Sequence, residues 1–183
     1  MSTAWAQRAP NEATLGQRFE DLFLPHLNAA YSLARFIARD PVAADDIVQE
    51  SFLRAFRSFA KYRGGDAKAW LLTIVRNCSF DWSRSRSAVP GGAPGGAPAP
   101  DPDELPGELE GPEESAVRRN EIEEVRAMVR SLPEPFRETL ILRELQELSY
   151  GEIASITRVP VGTVMSRLAR ARRMLTEAAG QTP

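Results

Sequence analysis

The residues with the clearest chemical potential lie between Ser149 and Leu175. Ser149 stands three residues before Glu152, the spacing at which a hydroxyl and a carboxylate cap a helix start reciprocally. A turn follows at Thr157-Arg158-Val159-Pro160, and Gly162-Thr163-Val164 opens a longer helix with Val164, Leu168 and Leu175 on one face. Thr163, Ser166, Arg167 and Arg170 fall away from that face, and Arg173 continues the basic run. A short helix, a tight turn and a second helix with hydroxyls and guanidiniums near its start form a helix-turn-helix pattern. Hydroxyls bond phosphates or base edges, and arginines grip guanine or phosphate. A plain helical hairpin with a solvated basic face would share the arginines, but not the combination of cap, turn and surface hydroxyls.

A second group precedes it. From Arg54 to Arg86 there are eight basic residues and two acids, and Tyr62, Trp70, Phe80 and Trp82 lie among them. Basic groups hold phosphates, while aromatic rings accept unstacked bases. Upstream, Asp45, Asp46, Gln49 and Glu50 form an acidic face opposite Phe52 and Phe56. Bond-making chemistry has little support. With Cys78 and His26 as the sole residues of their types, an intramolecular disulfide, Cys-rich zinc sites and His-dependent triads are disfavoured. No metal, cofactor or enzymatic activity is expected. Cys78 reads as a buried thiol, Trp70 as core, and Asp81 as a partner for a nearby arginine.

Helices must position these groups. The chain has 183 residues, 43% of them hydrophobic, and its formal net charge of −2 conceals strong segregation. Leu15 to Arg39 carries Phe19, Leu22, Phe23, Leu27, Tyr31, Ala34 and Ile37 at near-helical spacing, with Pro25 predicting a kink or a late start. Asp40-Pro41 restarts a helix running to about Ala60, with Ile47, Val48, Phe52, Phe56 and Phe59 inward. A third helix is predicted from about Ala67 to Arg86. After a long gap, helices are predicted over Glu114–Ser131, Pro135–Leu145, Ser149–Ile156 and Val161–Ala178. No strand signal appears. The fold class is therefore all-α, with two small helical domains over 15–86 and 113–178, joined by a linker over 87–112.

That linker alternates prolines with glycines, and Ser87 to Ala116 carries seven acids and no Lys or Arg. It is expected to stay disordered, because it offers too little apolar surface to offset ordering. Coil scaling gives it a relaxed span on the order of 30 Å, and full extension allows roughly 85 Å. The two domains could then sit far apart on a common partner. No run of about 18 apolar residues predicts a membrane span. The N-terminus lacks the pattern of a signal peptide, so a cytoplasmic location is expected.

Taken together, several motifs resemble the extracytoplasmic-function (ECF) group of bacterial RNA polymerase sigma factors. Leu132-Pro133-Glu134, Leu148-Ser149-Tyr150, Glu152-Ile153-Ala154, Val159 to Val164 and Ser166 to Arg172 resemble sigma region 4. Asp45 to Phe52 resembles region 2.2, and Trp70-Leu71, Ile74, Asn77 and Asp81 match regions 2.3 and 2.4. The resemblance implies core RNA polymerase as partner, through its β′ clamp helices and β flap, with promoter DNA and an anti-sigma factor as further partners. It implies polymerase docking by Asp45, Asp46, Gln49 and Glu50. It assigns −10 recognition and melting to Lys61, Tyr62, Arg63, Gly64, Asp66, Asn77 and Arg84, and −35 recognition to Thr163, Ser166, Arg167, Arg170 and Arg173. The linker's negative charge would suit a path through a positively charged polymerase channel.

Three positions depart from the family pattern. Arg158 stands where a turn glycine is usual, Met165 replaces a common basic residue, and Gly64-Gly65 loosens the loop that would capture a flipped base. The alternative class is a stand-alone helix-turn-helix regulator, which leaves the acidic helix and the aromatic basic block unexplained.

Overall fold

The computed structural model describes residues 12–87 and 123–180, and these contain helices and turns but no strand. The predicted linker, beyond its first residue, lies outside the described residues. Helix α1 (Glu12–Phe23) passes through a single 3-10 turn, Leu24–His26, into α2 (Leu27–Ala38). Pro25 causes the break, since it lacks a donor and its ring clashes with the preceding turn. Asp40 then caps α3 (Pro41–Ser58), its Oδ1 accepting from the amides of Val42 at 3.1 Å and Ala43 at 3.3 Å. Pro41 occupies the first turn, where a missing N–H costs nothing. A 3-10 turn, Phe59–Lys61, leads to Gly64 and Gly65 at φ 89° and 98°. Asp66 then starts α4 (Ala67–Ser87) by accepting from the Ala69 amide at 2.7 Å.

The first unit packs α2 against α3 and α4. Its buried side chains include Leu33, Ile37, Ile47, Leu71, Leu72, Val75 and Cys78. At one end Phe23 meets Phe59, Tyr62 and Trp70 with ring centroids 5.1–5.8 Å apart. Trp70 is thus a packing residue, as expected. Phe56 is not: it is 44% exposed, although its ring meets Phe19 at 5.2 Å. The buried stripe of α3 runs through Ala44, Ile47, Val48, Ser51 and Ala55. One residue beyond Ala55 is rotated about 100° around the axis, which carries Phe56 to the flank.

The second unit contains a helix over 123–131 (α5), α6 (Glu134–Glu144), α7 (Tyr150–Thr157) and α8 (Val161–Ala179). The part of the first predicted helix before residue 123 lies outside the described residues. Leu140, Ile141, Leu142, Ile153, Ile156, Val164 and Leu168 build the core. Leu175, expected on the face of Val164 and Leu168, is half-buried against its edge, as is Phe136. Arg137 is buried as well. Its guanidinium donates to the carbonyls of Arg130 at 3.2 Å and Leu132 at 3.0 Å, closing the end of α5. Burial, and secondly the nearby Arg39, push its pKa down to about 10, so it remains charged at neutral pH.

Helix α7 begins with the predicted capping box: Ser149 Oγ accepts from the Glu152 amide at 3.3 Å, and Glu152 Oε2 accepts from the Ser149 amide at 2.7 Å. It ends at Arg158, whose φ of 57° and ψ of 42° are left-handed. The turn therefore keeps its glycine-type geometry with an arginine in place. The two units pack on each other, α2 on α6 and α4 on α7.

Arg158 carries strain that glycine would not. Arg158→Gly should raise stability by about 0.5–1 kcal/mol, read as a higher urea midpoint at unchanged slope. An unchanged or lower midpoint would show that the arginine side chain repays the strain through its contacts.

Candidate nucleic-acid interface

Helix α3 presents one acidic face. Asp45, Asp46 and Gln49 are exposed and Glu50 is half-buried, while Ile47, Val48 and Ser51 point to the core. Glu50 accepts from Arg54 Nε at 2.7 Å. The α3–α4 connection follows. Lys61, Arg63, Gly64 and Asp66 are exposed there, whereas Tyr62 is half-buried. Tyr62 Oη donates to the Gly65 carbonyl at 2.7 Å, and its ring lies 5.2 Å from that of Trp70. Tyr62 thus braces the loop, and Asp66 caps the next helix. Both have local structural duties that the sequence reading did not assign to them.

On α4, Asn77 and Arg84 line an open cleft of about 800 Å³ with Arg54, Arg76 and Phe80. Asp81 in the same cleft accepts from Arg84 at 2.7 Å and Arg54 at 3.1 Å. Arg54, then Arg84, hold its carboxyl below the usual carboxylate range. This is the arginine pairing expected of Asp81. Arg76 lies over the Phe80 ring, 4.6 Å from its centroid, so a cation and an aromatic face are already joined. From the second unit, Glu134 and Arg158 close the cleft.

On α8, Val164, Leu168 and Ala171 face inward. Thr163 and Arg167 are half-buried, and Ser166, Arg170 and Arg173 are exposed. Ser166 Oγ donates to the Thr163 carbonyl at 3.0 Å, and Arg173 lies 3.6 Å from Glu177. Met165, 54% exposed, sits on the same helix where a cation was expected.

The structure adds a group of residues that the sequence reading did not place in a site. Arg76 Nε donates to Glu138 Oε1 on α6, and its Nη2 lies 3.4 Å from Oε2. Lys68 Nζ donates to the Gln146 carbonyl at 2.7 Å. The Glu138 side chain is 3% exposed. Burial pushes its carboxyl pKa up; Arg76 and, more weakly, Arg167 oppose that shift. These contacts hold the −10 candidates on α4 against the helix-turn-helix unit. No local pattern in the sequence signals such a pairing.

An acid-faced helix, a basic aromatic cleft and a helix-turn-helix on one chain define a bipartite DNA-binding protein. Comparison with known proteins makes this specific. Residues 22–89 match Sigma-70 region 2 and residues 122–175 match Sigma-70 region 4. The RNA polymerase sigma-H factor of Pseudomonas aeruginosa is 34% identical over 164 residues, covering 87% of this chain and 85% of that protein. The ECF RNA polymerase sigma-E factor of Haemophilus influenzae is 34% identical, covering 78% and 77%. The sigma factor RpoE of Bartonella quintana, solved with the anti-sigma factor NepR, superposes with a TM-score of 0.73 at 25% identity, covering 91% and 99%. The chain belongs to the sigma-70 family, in its ECF group.

Arg76→Ala should leave the buried Glu138 carboxylate without its main partner, at a cost of about 3–5 kcal/mol to the packing of the two units. Small-angle scattering at neutral pH should show a larger radius of gyration with unchanged helical circular dichroism. Because the packed state raises the Glu138 pKa, protonation favours packing. Acidification through that raised pKa should restore compactness in Arg76→Ala, and Glu138→Gln in the same background should abolish the pH dependence. A variant that stays compact at neutral pH would show that the ion pair does not govern packing.

Proposed function

We propose that this chain is a dissociable specificity subunit of RNA polymerase that acts in the cytoplasm and performs no bond chemistry of its own. The observation that carries this reading is that one chain holds both regions in family order, each with its candidate contact surface. The exposed Asp45, Asp46 and Gln49, with Glu50 beside them, would dock on the basic β′ clamp helices, and region 4 would meet the β flap. Lys61, Tyr62, Arg63, Gly64 and Asp66 would shape the pocket for a base flipped from the −10 element, and Asn77 and Arg84 would hold the same strand. Thr163, Ser166, Arg167, Arg170 and Arg173 would read the −35 element from the major groove. Capturing unstacked bases supplies the energy of opening, against a cost of a few kcal/mol for each base.

Glu134 and Arg158 line the same cleft as Asn77 and Arg84, so the packed arrangement competes with strand capture. Promoter engagement then requires the units to separate. An anti-sigma factor would act by covering the polymerase- and DNA-binding surfaces. In this chain no helix of the described residues is long and apolar enough to cross a membrane.

Reconstitution with core polymerase tests the reading. The complex should direct transcription from selected promoters, and Asp45→Lys with Asp46→Lys should weaken core binding about tenfold or more through charge reversal. Arg170→Ala should lower binding to −35 sites and reduce the salt slope by about one. Duplex binding without any core binding would establish the stand-alone regulator instead.

A further inference from the structure

The basic residues of α4 divide by where their partners lie. Arg84 pairs with Asp81 and Arg86 with Asp40, both within the first unit. Arg54, which reaches the same cleft from α3, is held by Glu50 and Asp81, also in the first unit. Arg76 and Lys68 differ. Arg76 donates to Glu138, and Lys68 Nζ donates to the Gln146 carbonyl at 2.7 Å; both acceptors belong to the second unit. Among the described residues, neither side chain has a hydrogen bond or ion pair inside its own unit. Separation of the units therefore leaves Arg84 and Arg86 paired and strips Arg76 and Lys68 of their acceptors.

Arg76 already stands in the cleft assigned to the strand. It lines that cleft with Asn77, Phe80 and Arg84, and its guanidinium lies 4.6 Å from the Phe80 ring centroid. A planar guanidinium binds a carboxylate and a phosphate through the same fork of donors. Glu138 fills that fork from α6, with one oxygen on Nε and the other 3.4 Å from Nη2. The Arg76 side chain is 18% exposed and that of Glu138 3%, so the packed units leave a polyanion little access to the fork. Lys68 stands eight residues earlier, about 12 Å along the helix axis, so the two cations can serve different phosphates.

We infer that Arg76 and Lys68 are further contacts for the single strand, latent in the packed chain, and that Glu138 occupies Arg76 in place of a strand phosphate. Opening then exchanges a carboxylate for a phosphate on one guanidinium. Closure and strand capture compete for a single residue as well as for the cleft around it. The inference rests on the strand-binding role proposed for Asn77 and Arg84.

Fluorescence anisotropy of a labelled single-stranded oligonucleotide tests it. The probe carries the non-template −10 sequence of a promoter that the reconstituted holoenzyme transcribes. In the free full-length chain, Glu138→Gln should tighten strand binding about fivefold, since a larger fraction of the chain becomes competent to bind. Adding Arg76→Ala to that variant should weaken binding about tenfold, the loss of one charge-assisted pair. A residue serving only as a latch would instead leave binding unchanged or tighten it further. Lys68→Ala in the same background should lower the salt slope by about 0.7, the single-strand value for one phosphate. Arg76→Lys should keep the slope without the full affinity, because lysine supplies charge but no fork. Unchanged helical circular dichroism verifies folding of each variant. Strand binding that ignores Glu138→Gln, or that ignores Arg76→Ala in the Glu138→Gln background, would overturn the inference while leaving the strand-binding role of α4 intact. A probe bound by neither the holoenzyme nor any free chain would overturn both.

Discussion

One buried carboxylate, Glu138, lies between cations of the two packed units. Glu138 receives Arg76 from the first unit and feels Arg167 from the second. Without that charge, the cations of α4 and α8 would repel across a region of low dielectric. The carboxylate is itself costly to bury, which is why its pKa rises. Its contribution is therefore positional more than energetic: it fixes which part of α4 the helix-turn-helix unit meets. The cleft containing Asn77, Arg84 and Arg158 follows from that placement.

Helix α4 is consequently a shared element. Leu71, Leu72, Val75 and Cys78 tie it into the core of the first unit. Lys68 and Arg76 tie another face to the second unit, and Asn77, Phe80 and Arg84 line the cleft. Three faces of one helix thus serve folding, closure and the proposed strand contact. The Tyr62 loop is coupled to the same helix, since its ring rests on Trp70 and its hydroxyl holds Gly65.

Local interactions were the most legible part of the sequence. Asp40 and Ser149 cap their helices with groups two or three residues away, so spacing alone predicts them. Pro25 likewise marks its own kink. Phe56 was misplaced because small residues, Ala44, Ser51 and Ala55, carry much of the buried face of α3, and apolar size misleads about such a stripe. The contacts between Arg76 and Glu138, and between Lys68 and Gln146, join residues 62 and 78 positions apart, with residues 88–122 between them. Helical periodicity contains no information about such pairs. For the same reason linker length, which bears on how far apart the units can sit on a common partner, does not reveal how they pack in the free chain.

The covalent connection between Ser87 and residue 123 has a quantitative consequence for that packing. Holding both units in one chain makes their packing intramolecular, for which an effective concentration on the order of 1 mM is typical. An interface with an intrinsic dissociation constant near ~0.1 mM would then be about 90% closed. Closure can thus rest on as little as an ion pair and a lysine–carbonyl contact, and remain weak enough for a bivalent partner that grips both units to outcompete it.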